Sequence, residues 1–240
     1  MQYAAAMIDS LSPSLLQLLR SVDTPTVCNT LIMLDPDLRG QGYTVEAVIA
    51  ADPGLPALVG YACTARMVSS EPPLDPPEVL RQRRFDYYRY VSSGTRPTVV
   101  VMEDCGKRPG YGCIWGGLNV AIHQGLGVVG AITSGALRDL GSLAPGFQLL
   151  GGHVCPGSGF AHLVDFDRPV EIFGLSVKPG DLIHADRHGA VVIPTSLVPR
   201  LGEGIDLVLR RERVLFDAAA KAGFGYDALV RAWEVFERTK

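Results

Sequence analysis

Two apolar runs rich in β-branched residues constrain the fold most strongly, because such runs are typical of strands buried on both faces. Residues 97–104 read PTVVVMED and residues 127–133 read GVVGAIT. The intervening residues 115–124 predict a helix that Gly125 ends. Further strands are expected at residues 59–68, 170–177, 181–185 and 190–193. The chain therefore predicts an α/β fold with a partly antiparallel sheet.

The composition narrows the class of protein. The 240 residues are 47% hydrophobic and 20% charged, as in ordinary globular proteins. The net charge of −3 gives no basic field for nucleic acid, and no apolar run is long enough to span a bilayer. The five cysteines include no C-x-x-C pair, and the N-terminal region lacks the basic start of a signal peptide. We therefore expect a cytoplasmic protein that binds neither nucleic acid nor membrane.

Residues 125–130, GLGVVG, match the G-x-G-x-x-G pattern of dinucleotide-binding sites. That site requires a strand before the glycines and a helix after them, whereas the predicted order here is helix and then strand. We therefore expect these glycines to end a helix and to begin the next strand.

The far end of that strand offers better chemistry, since ligands of open α/β sheets gather at the carboxyl ends of strands. Arg138 and Asp139 follow shortly after Ser134 and Gly135. Both side chains can serve one site only if the backbone turns there, and Gly135 permits a turn. Asp139 could then hold Mg²⁺ together with water, and Arg138 could clamp the oxygens of an oxo acid. The alternative is a surface ion pair or an Asp at the start of a helix.

A second candidate segment, WGGLN, is residues 115–119 and lies at the start of the predicted helix. Gly116 and Gly117 could expose backbone N–H groups to a carboxylate that also faces Arg138. The alternative is a loop with a packed Trp115.

Histidines and an aspartate alternate at His184, Asp186 and His188. On one face of a strand they could bind a metal ion. A turn between two strands explains the same pattern, because Asp186 and Gly189 favour turns.

Two blocks of sequence together resemble the 4-hydroxy-4-methyl-2-oxoglutarate aldolase family, which also contains the regulator of ribonuclease E activity A. The blocks are WGGLN with GLGVVG and SGALRDL, and VKPGDLIHADRHGAVVIP. The resemblance runs from about residue 24 to residue 194. It implies a three-layer β/β/α fold of the swivelling, phosphohistidine-domain-like type with mixed sheets over residues 1–195. A C-terminal helical extension over residues 196–240 would follow, and the assembly would be a homotrimer or hexamer.

The resemblance also implies an activity. The chain would be a divalent-metal-dependent lyase, an aldolase or decarboxylase that cleaves a small 4-hydroxy-2-oxo acid or oxaloacetate to give pyruvate. Carried over by position, Asp139 would bind Mg²⁺ or Mn²⁺, and Arg138 would hold the pyruvyl oxygens. The substrate carboxylate would meet backbone amides of the loop Gly116, Gly117, Leu118 and Asn119. A non-catalytic regulator that acts through protein–protein contacts is the alternative function.

Two positions depart from the family pattern. Many of the aldolases have an acid where this chain has Gly117, and an Asp where it has Ser134. Both changes remove carboxylates near the expected metal, which favours the regulatory alternative. The acid that other members supply from a neighbouring subunit has three candidates in this chain: Glu203, Glu212 and Glu234.

Overall fold

Six α-helices and ten strands make up the part of the chain that the structure, a computed structural model, describes, which is residues 11–240. The helices are α1 (Pro13–Ser21), α2 (Thr24–Leu34), α3 (Pro77–Ser92), α4 (Gly117–Gly125), α5 (Leu201–Ala219) and α6 (Tyr226–Arg238). The strands are β1 (Ile49–Ala50), β2 (Leu58–Val68), β3 (Thr98–Asp104), β4 (Val128–Leu137), β5 (Gln148–Val154), β6 (His162–Phe166), β7 (Val170–Ile172), β8 (Leu175–Val177), β9 (Leu182–Asp186) and β10 (Gly189–Ile193). This mixture confirms the predicted α/β class.

The main sheet is mixed, as predicted. Its strand order is β1-β5-β4-β3-β2-β9-β10, and β6 pairs with the far half of β2. The four central strands, β2 to β5, run parallel to one another. The outer strands β1, β6, β9 and β10 pair antiparallel. The parallel core places the carboxyl ends of β3, β4 and β5 along one edge, which is where the candidate residues were expected.

Alternate residues of β3 explain why its run is apolar throughout. Val100 and Met102 face a cluster that includes Tyr87 of α3 and Val120 of α4. Val99 and Val101 face the opposite side, where they pack against the two-stranded β7–β8 sheet. Both faces of the central strands are therefore buried. The swivelling β/β/α arrangement implied by the resemblance stays a prediction.

The GLGVVG segment has the predicted context. Helix α4 ends at Gly125, Gly127 adopts a left-handed φ of 83°, and β4 begins at Val128. The N–H of Gly127 donates to Gln124 O at 2.9 Å, as at an ordinary helix C-terminus. These glycines therefore end a helix, and the dinucleotide-binding interpretation is excluded.

The predicted end of the following strand was wrong. Strand β4 continues through Ser134 and Gly135 to Leu137, with a break in its pairing to β5 between Thr133 and Ala136. The turn comes at Asp139 instead, whose φ is 60°. Gly135 was a misleading signal, because its N–H bonds to Thr133 Oγ1 within an irregular stretch of strand and its φ is not left-handed.

The C-terminal segment is helical, as predicted. Helix α5 packs against α2, and α6 packs against α5. A Cβ at Gly204 of α5 would lie 2.7 Å from Thr30 Cγ2 of α2, so these two helices approach each other closely. The division of the chain at residue 195 stays a prediction. Within residues 11–240, every helix is too short or too polar to span a bilayer.

Candidate active site

The two candidate segments lie side by side. The N–H of Arg138 donates to Trp115 O at 3.0 Å, and Leu137 pairs with Trp115 as in a parallel ladder. The short extension of this ladder places the end of β4 against the start of α4. All of the residues predicted to form the site therefore meet at one edge of the sheet.

Asp139 is fixed against the start of α4. Its Oδ2 accepts a hydrogen bond of 2.8 Å from the N–H of Gly117 and lies 4.0 Å from Arg138 Nε. Its carbonyl oxygen accepts bonds from both the N–H and the hydroxyl of Ser142. Helix α4 has no acidic side chain in its first turn, so Asp139 supplies the negative charge that a helix N-terminus favours. Since both contacts use Oδ2, Oδ1 is the oxygen that a metal ion could approach.

The close approach of Arg138 and Asp139 requires a glycine at position 116. A Cβ there would lie 2.6 Å from Asp139 Oδ2 and 2.8 Å from Arg138 Nε. The backbone of Gly116, at φ −138° and ψ −174°, is extended and open to any residue. The glycine therefore serves close approach to the Arg–Asp pair and no special conformation.

Gly117 is less constrained. A Cβ there would meet only Asp139 Oδ2, at an ordinary 3.6 Å. A side chain thus fits at this position, where many of the aldolases carry an acid, and its absence is a property of this chain's sequence.

Leu118 and Asn119 contribute backbone to the site. Leu118 is 75% exposed. The Asn119 side chain is already engaged, since its Nδ2 donates to Ile114 O at 2.6 Å and its Oδ1 accepts from Tyr88 Oη at 3.2 Å. Both residues also line a cavity beside Arg138, and their main-chain N–H groups lie in the first turn of α4. Their contact with a substrate carboxylate stays a prediction.

Arg138 keeps donors for a ligand. Its Nη1 lies 3.4 Å from Ser158 Oγ, which is a weak contact. Its Nε is buried and has no hydrogen-bond partner among the residues that the structure describes. A buried guanidinium donor without a partner is unfavourable, and an anionic ligand would satisfy it.

A cavity of about 360 Å³ opens beside Arg138. Its deep wall consists of six buried side chains: Tyr87, Met102, Cys113, Trp115, His123 and Leu163. Its other lining residues include Arg84, Ile122, Ser158 and His162. None of the described residues that line it is Asp or Glu. Sequence reasoning missed this cavity, because its walls come from α3, β3, α4 and β6.

His123 and Tyr87 form a buried hydrogen-bonded pair in the wall. Tyr87 Oη lies 2.8 Å from His123 Nε2, and His123 Nδ1 lies 2.6 Å from Asn119 O. The carbonyl can only accept, so Nδ1 carries the proton and Tyr87 donates to Nε2. Burial lowers the pKa of His123 to about 4, so the ring is neutral at pH 7. Burial likewise raises the pKa of Tyr87 well above its usual value.

Cys113 is not a nucleophile candidate. Its thiol lies 3.0 Å from both Trp115 O and Ala136 O. Burial raises the pKa of the thiol to about 11, so it stays protonated at neutral pH.

Ser134 occupies the position where many aldolases have an Asp. Its Oγ accepts from the N–H of Asp104 at 2.9 Å. The buried Asp104 carboxylate is itself engaged, because its Oδ2 accepts from Ser69 Oγ at 2.6 Å and from the N–H of Gly110 at 2.8 Å. Asp104 therefore holds the loop after β3 and does not replace the missing acid.

The His184, Asp186 and His188 group forms a turn, which settles the alternative left open by the sequence. His184 is buried between Thr24 Oγ1, at 3.0 Å, and Leu19 O, at 2.8 Å. Asp186 Oδ1 accepts from the N–H of His188 in the tight connection between β9 and β10. No group of three or more His, Cys, Asp or Glu side chains within residues 11–240 is arranged to hold a metal ion.

The three candidate acids lie on the C-terminal helices. Glu203 and Glu212 are on α5, and Glu234 is on α6. Glu212 Oε1 lies 3.4 Å from Asn29 Nδ2, and Glu234 pairs with Arg238. None of them lines the cavity of its own chain, so a role from a neighbouring subunit stays a prediction.

The comparison with known proteins identifies the family of the chain and leaves the roles of the site residues as predictions. Residues 24–192 match the family described as RraA-like: Aldolase/RraA. The chain belongs to this family.

Two curated proteins match part of the chain. Protein DlpA of Legionella pneumophila is 28% identical over 131 residues, which is 52% of this chain and 21% of that protein. A protein of Methanocaldococcus jannaschii is 30% identical over 116 residues, which is 48% of this chain and 56% of that protein. The chain thus spans a fifth to about half of the length of these relatives.

Two solved structures share the fold. A protein of Pseudomonas syringae superposes with a TM-score of 0.71 at 20% identity, covering 98% of this chain and all of its own, 100%. A Streptomyces coelicolor protein, described as an unusual member of the RNase ES inhibitor RraA family, has a TM-score of 0.64 at 21% identity and covers 89% of this chain and 99% of its own. At these identities the likeness concerns the fold alone. The family contains both aldolases and regulators with one fold, so only the residues of the site can distinguish the two functions.

Proposed function

We propose that the protein is a divalent-metal-dependent lyase that cleaves a 4-hydroxy-2-oxo acid or oxaloacetate to release pyruvate. One observation carries the proposal: Asp139 Oδ2 accepts a 2.8 Å hydrogen bond from the N–H of Gly117 at the start of α4, and Arg138 Nε lies 4.0 Å from the same oxygen. An ordinary surface ion pair would not require a glycine at position 116 or leave Arg138 Nε buried without a hydrogen bond to any described residue.

The chain's own residues would orient the substrate. The free N–H groups of the first turn of α4 would bind the substrate carboxylate, aided by the helix dipole. Arg138 would donate to the C2 keto oxygen, where negative charge develops as the C3–C4 bond breaks. The N–H groups of α4 are fixed by the helix backbone, so these donors need little reorganisation during the reaction.

Asp139 fits a metal site rich in water, in which one carboxylate and several waters share a divalent ion with the substrate. Its Oδ1 is the oxygen left for that ion. A bound Mg²⁺ or Mn²⁺ would supply positive charge beside the developing enolate. The missing acids at 117 and 134 leave this site with fewer carboxylates than many aldolases have. A homotrimer or hexamer and a cytoplasmic location belong to this proposal as implied by the family.

The test is pyruvate release from oxaloacetate and from 4-hydroxy-4-methyl-2-oxoglutarate, with Mg²⁺ or Mn²⁺, then with EDTA, each corrected for reaction without protein. Asp139→Asn keeps an oxygen for the N–H of Gly117 and removes the charge. We expect it to lower turnover by at least about 10- to 100-fold, the loss that follows when even a residue supporting a metal ligand is replaced. Asp217→Asn, at an exposed position on α5, should behave as wild type.

Absence of release from both acids by folded, metal-supplied protein would contradict a lyase that acts on these two substrates. It would favour the regulatory alternative, which the departures at Gly117 and Ser134 also support. Release that persists unchanged in Asp139→Asn would contradict the assigned metal ligand.

A further inference from the structure

The cavity beside Arg138 differs in character between its mouth and its depth. Arg138, Arg84 and His162 bring the basic side chains, whereas the deep wall is apolar or aromatic. A ligand that suits both regions carries a carboxylate at one end and an uncharged apolar body at the other.

The interior would not stabilise a second negative charge. His123, the buried histidine of the cavity wall, is neutral at pH 7 because burial lowers its pKa to about 4. A carboxylate placed there would be desolvated without a cation, which is strongly unfavourable. Arg84 is an exposed residue at the solvent side of the cavity. The tail of the substrate that enters the cavity should therefore be uncharged.

The wall favours an aromatic ring. Tyr87, Trp115 and His123 lie together, with the Trp115 and His123 ring centres 4.6 Å apart. Further rings add stabilisation in offset or edge-on contact with such clusters.

The volume of the cavity is consistent with an aromatic ligand. At about 30 Å³ for each water-sized group, a cavity of 360 Å³ holds roughly a dozen such groups. A pyruvyl group fills only about half of that space. The remainder is enough for one aromatic ring.

We propose that the cavity takes an aromatic group carried on C4 of the oxo acid, so that the substrate class is 4-aryl-4-hydroxy-2-oxo acids. This rests on the proposed lyase function. In the reaction the C3–C4 bond breaks and its electron pair stays on C3 as the pyruvate enolate. The C4 hydroxyl loses its proton and becomes the carbonyl of an aromatic aldehyde, and C3 takes up a proton to give pyruvate.

The binding test is independent of turnover. Calorimetry with the folded protein and Mg²⁺ compares 2-oxo-4-phenylbutanoate with 2-oxoglutarate, which share the oxo-acid head and differ in the group on C4. We expect 2-oxo-4-phenylbutanoate to bind at least tenfold more tightly, about 1.4 kcal/mol. Equal or tighter binding of 2-oxoglutarate would overturn the proposal.

A variant locates the ring. Ile122→Phe fills the cavity from a half-buried position on α4 and should weaken 2-oxo-4-phenylbutanoate binding about tenfold or more, leaving pyruvate binding unchanged. Leu209→Phe, on α5 outside the cavity, is the matched control and should change the binding of neither ligand. Unchanged 2-oxo-4-phenylbutanoate binding in a folded Ile122→Phe variant would place the ring elsewhere.

Turnover then separates the two proposals. We expect faster pyruvate release from 4-hydroxy-2-oxo-4-phenylbutanoate than from 4-hydroxy-4-methyl-2-oxoglutarate. Cleavage of the dicarboxylate alone would refute the aromatic substrate class and leave the lyase intact. Cleavage of neither would refute the lyase, while the calorimetry still decides what the cavity binds.

Discussion

The Gly116→Ala substitution tests the candidate site most directly. The new Cβ would lie 2.6 Å from Asp139 Oδ2, whereas ordinary contacts begin at 3.4 Å. The carboxylate must therefore retreat by about 0.8 Å. Such a shift weakens or breaks the 2.8 Å bond from the N–H of Gly117 and displaces the Arg138 side chain as well.

The magnitude follows from these contacts. A hydrogen bond to a charged group contributes about 1.5–3 kcal/mol, and each 1.4 kcal/mol changes a rate constant about tenfold. A misplacement near 1 Å in a catalytic group costs about 100-fold. We expect kcat/KM for pyruvate release to fall about 10- to 100-fold. The extended backbone accepts alanine, so the free energy of unfolding should fall by no more than about 2 kcal/mol.

The assay compares kcat/KM and urea unfolding for Gly116→Ala and for Gly125→Ala. The control position lies at the other end of α4, where a Cβ meets nothing within 4 Å. It should gain up to about 1 kcal/mol of helix stability with unchanged turnover. A folded Gly116→Ala variant with wild-type turnover would refute the reasoning, because the crowding around Arg138 and Asp139 would then have no bearing on the chemistry.

Two further predictions concern stability. Asp104→Ala leaves the hydroxyl of Ser69 and the N–H of Gly110 without an acceptor. The free energy of unfolding, measured in urea, should therefore fall by about 3 kcal/mol or more. A decrease no greater than that of the exposed Asp217→Ala variant would contradict this. The pKa of His123 is lowered by burial from 6.5 to about 4, so the unfolded chain binds its proton first, and stability falls as the pH drops through that interval. Between pH 8 and pH 5 this contributes a loss of about 2 kcal/mol. His123→Gln should show a correspondingly shallower pH dependence of unfolding, and an identical dependence would refute the assignment.

Much of the site could be predicted from the sequence because its signals are local. The order of helix, glycines and strand excluded a dinucleotide site, and Gly116, Gly117, Arg138 and Asp139 were expected at one sheet edge. The detail of the turn was not predictable. Gly135 has the sequence signature of a turn, yet the strand continues past it and Asp139 adopts the left-handed conformation instead.

The cavity belongs to the tertiary structure alone. Tyr87 and His123 are 36 residues apart, and neither has a local pattern that distinguishes it from an ordinary core residue. Only the packing of α3 and α4 on the same face of the sheet brings them together. The low pKa of His123 has the same origin, because desolvation is a property of the folded environment.

The sequence by itself determined the class of fold, the buried parallel strands and the residues at the edge of the sheet, since hydrophobic periodicity and glycine placement act over a few residues. Tertiary structure decided which oxygen of Asp139 is engaged, that Arg138 Nε makes no hydrogen bond to any described residue, and how an aromatic cavity opens beside it. Those properties depend on distances between segments remote in the chain, which residue spacing does not encode.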